Sequence, residues 1–140
     1  MSVEKNKATM RRVFTEVFNK GNFAITPELI APNYVFRSPL GMEFKGPNGF
    51  TQMVAMSRTA FPDLSLTIDD ILAEEDKVAL RYTLRGTFKG DLMGIPPTGK
   101  QITIKASLFV RLAGGKEVEA FEFFDSLDMY RQLGILIPPQ

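Results

Sequence analysis

The chain has 140 residues, 17 basic and 16 acidic, with 44% apolar side chains and a formal net charge of +1. That fits one soluble domain over residues 1–140 and supplies no field for nucleic acid or an anionic membrane. There is no cysteine and no histidine, which excludes disulfides, thiol nucleophiles, Cys-ligated metals and any Ser-His-Asp arrangement, and leaves acid–base chemistry near neutral pH to a carboxylate, lysine or tyrosine of shifted pKa. Met10, Val13, Phe14, Val17 and Phe18 recur at helical spacing, and Gly21 reads as the stop. Pro27 opens a short second helix through Leu29 and Ile30; Pro32 ends it, and Tyr34-Val35-Phe36 reads as a short strand. A third helix starts near Gly46-Pro47, with Phe50, Met53, Val54, Ser57 and Phe61 on one face, and Pro62 ends it.

From Leu64 the period changes to two. Leu64, Leu66 and Ile68 form one strand, and Val78, Leu80, Tyr82 and Leu84 another across the solvated turn Glu74-Glu75-Asp76. A long Gly- and Pro-rich loop runs from Gly86 to Gly99. Ile102, Ile104, Ala106, Leu108 and Val110 then alternate with Thr103, Lys105, Ser107, Phe109 and Arg111. Gly114-Gly115 makes a tight hairpin turn, Val118 to Phe124 is the last strand, and Asp125 to Leu133 is a closing helix. Helices first, then a run of antiparallel strands, is an α+β layout with helices on one face of a curved sheet. Such a sheet can curl around its helices and leave a cone-shaped pocket for a small apolar ligand. No apolar run approaches the roughly 20 residues of a membrane span. The charged start MSVEKNKATM and the lack of cysteine predict a cytoplasmic location.

Gly94-Ile-Pro-Pro-Thr-Gly99-Lys100 fits the opening of a phosphate-cradling P-loop, but Pro96 and Pro97 have no N–H to offer and Gln101 replaces the magnesium-binding hydroxyl. It reads as a proline-stiffened loop between strands. The carboxylates of Asp69-Asp70 and Glu74-Glu75-Asp76 lack the spacing of a calcium loop, so no metal is expected. Phe121, Phe123 and Asp125 share one face of the last strand. A carboxylate at the end of an aromatic wall has a raised pKa and is a better base; alternatively Asp125, or Ser126, is the N-cap of the closing helix. Arg81 and Arg85 share one strand face, and Lys105 and Arg111 another; any of these could reach a substrate oxygen or pair with Asp125. Ile102, Ile104, Leu108 and Val110 are apolar enough for a dimer contact on an outer face, or they are the inner face, with Lys105 and Ser107 outside.

These residues resemble the SnoaL-like polyketide cyclases, a family with the nuclear-transport-factor-two-like fold. Phe18-Asn19-Lys20-Gly21-Asn22 resembles its "WNxGD", Ala60-Phe61-Pro62-Asp63-Leu64 its "AFPDL", and Asp76 to Thr83 its "DKVAxRxT". Gly86-Thr87-Phe88-Lys89-Gly90 resembles "GTHxG", the segment from Gly94 to Lys100 matches "GIPPTGK", and Gly115-Lys116, Glu119, Asp125 and Gln132-Leu133-Gly134 agree with the family's ending. The resemblance implies a curved antiparallel sheet wrapped around N-terminal helices as a cone (a cystatin-like α+β barrel), commonly a homodimer. It implies a cofactor-free, metal-free aldol cyclisation in which Asp125 is both base and acid. Phe36-Arg37 stands where the family often has Asp-His, Phe121 replaces a tryptophan and Phe88 a histidine. Arg37 is then either an oxyanion partner or a surface residue beside a turn.

The expected function is cyclisation or isomerisation of a small apolar, carbonyl-rich ligand. Asp125 is the candidate catalytic residue, and Phe109, Phe121, Phe123, Arg37, Arg81 and Lys105 line its site. The alternative is a non-catalytic ligand-binding or scaffold dimer with a filled cone or with Asp125 capping its helix. A third reading, a hydrolase of the limonene-epoxide type, needs an arginine bridging two inward carboxylates, one of them Asp69 or Asp70.

Overall fold

The computed structural model describes residues 2–135. Helix α1 (Val3–Arg12) opens with Ser2, whose hydroxyl accepts a hydrogen bond from the Lys5 amide at 3.0 Å. The apolar stripe continues past it, but over Val13–Asn19 the turns widen to π-helical. Met10, Val13, Phe14 and Val17 are buried as the spacing predicts. The last carbonyls of a helix lack intrahelical donors; here Arg58 donates to those of Phe18 (2.8 Å) and Asn19 (3.0 Å). A single 3-10 turn (Phe23–Ile25) leads into the short α2 (Thr26–Leu29).

Strand β1 (Ile30–Arg37) starts at once and runs through Pro32, where a break was expected. The pairing shifts register between Ile30 and Val35, the kind of irregularity at which a strand tolerates proline. A short β2 (Glu43–Lys45), not foreseen in the sequence, pairs back onto β1. Helix α3 (Gly46–Ala60) comes next, with Phe50, Met53 and Val54 buried. Then come β3 (Ser65–Glu74), β4 (Lys77–Thr87), β5 (Gln101–Ala113) and β6 (Lys116–Phe124), and α4 (Ser126–Leu133) closes the fold.

The six strands form one curved sheet ordered β2-β1-β6-β5-β4-β3. It is antiparallel except where β1 lies parallel to β6, a pairing that a hairpin-by-hairpin reading of the chain does not anticipate. Ile102, Ile104, Ala106, Leu108, Val110 and Leu112 are buried, so this face of β5 is the inner one, packed under the helices, and Thr103, Lys105, Ser107, Phe109 and Arg111 point outward. The segment after Thr87 is a loop, as expected, and beyond Gly99-Lys100 the chain enters β5 rather than a helix. This loop is pinned to the end of α3: the amides of Lys89 and Gly90 both donate to the Ala60 carbonyl, at 3.0 and 3.1 Å. A Cβ on Gly90 would lie 2.0 Å from the Thr59 carbonyl oxygen, so the approach needs glycine.

Candidate functional site

Inside the cone lies a cavity of about 150 Å³. Phe18, Met53, Leu66, Ile104 and Phe124 are among its walls, and Leu92 and Met93 of the loop after Thr87 also line it. Its hydroxyls are mostly spent on local structure: Ser57 donates to the Met53 carbonyl at 3.1 Å, and Ser38 accepts from the Leu40 amide at 3.0 Å. Tyr82 of β4 and Glu122 of β6 remain as the ionisable groups of the cavity.

Strand register brings those two together. Glu122 stands opposite Leu108 on β5, and Tyr82 stands opposite Ala106. Their strands flank β5, so they are separated by two strand spacings, roughly 10 Å. The small Ala106 leaves room for the phenol to cross, and the Tyr82 hydroxyl donates to the Glu122 carboxylate. Phe14 packs edge-on against the Tyr82 ring at 5.1 Å and holds it in place. Burial raises the Glu122 pKa, and the hydrogen bond from Tyr82 partly opposes that rise. The Tyr82 hydroxyl is pushed well above its usual value by burial and by the neighbouring carboxylate. The pair can therefore accept a proton at one atom and donate one from the other inside an otherwise apolar chamber.

The site expected from the sequence lies on the other side of the sheet. Asp125 is exposed, and its carboxylate accepts from the Asp128 amide at 3.0 Å as the N-cap of α4. The capping alternative is the geometry found. Phe121 and Phe123 share its face, but that face is the outer one, with Phe123 53% exposed and stacked edge-on against Phe109. Arg37 is also outside: it lies over the Phe121 ring at 5.2 Å and pairs with Glu43 (3.2 Å) and Glu119 (3.4 Å). Arg81 faces Asp70 at 3.8 Å, and Lys105 lies beside Arg81 and Phe123 in an outer recess. The six strand residues of this set share the outer face, with Asp125 capping α4 at its end; alternation groups them only within their own strands, and that face does not line the cone. The hydrolase reading fails on the same ground. Asp69 and Asp70 are exposed at a register shift in β3, where Asp69 accepts from Thr83, and no arginine lines the cavity.

Glu122 was legible in principle. It sits in the set Val118, Ala120, Glu122 and Phe124, whose small apolar members mark a buried strand face, and a carboxylate there has to be explained. Among the described residues no three acidic side chains come together as a metal-holding group.

Residues 8–133 match the SnoaL-like polyketide cyclases. The chain belongs to that family. It is 29% identical over 127 residues to the aklanonic acid methyl ester cyclase DauD of Streptomyces sp. strain C5, covering 88% of this chain and 78% of that one. It is 29% identical over 122 residues to the nogalonic acid methyl ester cyclase of Streptomyces nogalater, covering 84% and 89%. Among solved structures, TsrD from Streptomyces laurentii is similar with a TM-score of 0.85 at 26% identity, covering 97% of this chain and 99% of that one. Wild-type IdmH from Streptomyces antibioticus has a TM-score of 0.79 at 30% identity, covering 93% and 99%. No helix among the described residues is long and apolar enough to cross a membrane.

Proposed function

We propose that this protein is a polyketide cyclase in which Glu122, not Asp125, is the acid–base residue. The observation that carries this is a partly buried carboxylate, hydrogen-bonded to a phenol, in a cavity whose other walls are mostly apolar. The substrate is an apolar molecule rich in carbonyls. The Glu122 carboxylate takes a proton from a carbon between two carbonyls. The resulting enolate carbon attacks a second carbonyl carbon of the same molecule; the C–C bond forms as the carbonyl π pair becomes an alkoxide. Glu122 returns its proton to that alkoxide, and Tyr82 donates a hydrogen bond to the enolate oxygen. The proton count closes without a cofactor. Walls that hold both ends of the chain together supply much of the rate by proximity. The cavity is smaller than the roughly 300 Å³ at which small-molecule pockets begin, so admitting a ligand of this class requires its walls to part.

The protein works as a cytoplasmic homodimer joined through the outer sheet face. Phe109, Phe123 and Leu72 are exposed there, beside a recess of about 620 Å³. The scaffold reading draws on Asp125, which caps its helix as that reading expected.

The test uses aklanonic acid methyl ester, named for the relatives, and monitors formation of a cyclised product of equal mass. Glu122→Gln should lower the rate roughly 10²–10⁴-fold, the usual range for a lost general base, while Asp125→Asn leaves it unchanged. The reverse pattern returns the chemistry to Asp125. Ligand binding without turnover in the unaltered protein favours the scaffold.

A further inference from the structure

Glu117 is fully buried, and the mechanism above does not use it. Strict alternation would put it outside with Glu119. The β5–β6 ladder instead slips by one residue: Arg111 faces Glu119, while Leu112 faces Glu117. Such a bulge turns one side chain to the opposite face, and here it carries a carboxyl into the core. A second chamber of about 20 Å³ lies behind the main cavity, lined by Glu117, Glu122, Tyr34 and Tyr82. Glu122, Tyr82 and Phe18 line both chambers. A space of that size holds one water, and four polar groups provide the two to four partners that a buried water takes.

The charged and titratable groups around Glu117 make a short inventory. β1 contributes Tyr34, β4 contributes Tyr82, and β6 itself contributes Glu122; α1, the π-helical segment, α3 and β5 present only apolar side chains to this chamber. Among the described residues no ion pair includes Glu117 or Glu122.

We propose that Glu117 is a positioning residue that shares one proton with Glu122 through a single water in the rear chamber. This rests on the reading of Glu122 as the base. Glu117 gives its proton to the water as the water gives one of its own to the Glu122 carboxylate, so no charge is created and the pair keeps one proton. A second ionisation would place two anions in one apolar chamber and is held off. Burial alone pushes Glu117 up to about 8, whereas Glu122 has the Tyr82 hydrogen bond to favour its charged form. The anion therefore rests on Glu122, where the chemistry needs it.

Carboxyl NMR titration of glutamate-labelled protein tests this without substrate. In the unaltered chain the Glu122 signal should show two inflections more than about one pH unit apart, as in coupled pairs. Glu117→Gln should abolish the upper one. Glu122→Gln should move the Glu117 titration about one unit or more below that upper step. A single Glu122 inflection in the unaltered chain, unchanged in Glu117→Gln, overturns the proposal. Either variant is decisive alone, so one that does not fold leaves the other. The turnover test of Glu122→Gln is a separate readout: inactivity of the unaltered chain with coupling intact defeats the base reading, and activity without coupling defeats only this one.

Discussion

The two faces of the sheet carry similar inventories and behave differently. Outside, Phe109, Phe121 and Phe123 sit among charges, and Arg37, Arg81 and Arg111 each have a carboxylate within 4 Å. Inside, two carboxyls sit among aromatics with phenols as their polar neighbours. The difference is solvent and pairing. An exposed carboxylate facing an arginine has nothing to gain by holding a proton, while two enclosed ones without a cation keep one proton between them. Aromatic residues beside an acid therefore do not define a reactive site; the side of the sheet does.

The contrast between faces is largest at Glu117 and Glu119, two positions apart on β6. Folded Glu117 keeps its proton up to about pH 8, against 4.5 in the unfolded chain. The unfolded state binds fewer protons between those values. The contribution of Glu117 is therefore full below pH 4.5 and declines as pH rises to about 8, at up to about 1.4 kcal/mol per pH unit. Denaturant melts at pH 5 and pH 8 should show the loss shrinking in Glu117→Gln and persisting in Glu119→Gln. Equal slopes in the two variants would erase the distinction between the faces.

Phe123 and Phe124 sharpen it next. Phe124→Ala removes a cavity wall and should cost about 2–4 kcal/mol. Phe123→Glu on the outer face should leave monomer stability within about 0.5 kcal/mol and convert the proposed dimer to monomer in light scattering. The smallest effect is at Asp125. Its replacement by alanine should cost about 1 kcal/mol in chemical denaturation through the lost cap.

Periodicity located every long element, because stripe and alternation depend directly on which side chains leave water. Met10 to Val17, Phe50 to Val54 and the β5 alternation are all where their spacing put them. What spacing could not carry was anything that depends on register across strands. The parallel β1–β6 pair comes from the strand order, and the passage of β1 through Pro32 and the inward turn of Glu117 from ladder irregularities, all set by partners distant in sequence. The site went to the wrong face for a related reason. Alternation divides a strand into two sets without saying which is buried, and the set with three ionisable or aromatic residues drew attention from Ala120 and Glu122, which mark the inside.

Asn19 has a consequence for behaviour in solution. Its side-chain amide donates to the Leu66 carbonyl at 2.9 Å and accepts from the Leu66 amide at 2.8 Å, so it acts as one peptide unit of a missing seventh strand. β3 is an open edge of the sheet, and open edges recruit other chains. With Leu66 occupied and Asp69-Asp70 kinking the strand just beyond, an incoming strand finds neither a free start nor a straight template. Crowded preparations should thus resist strand-on-strand growth at the β3 edge as long as this one amide holds its place.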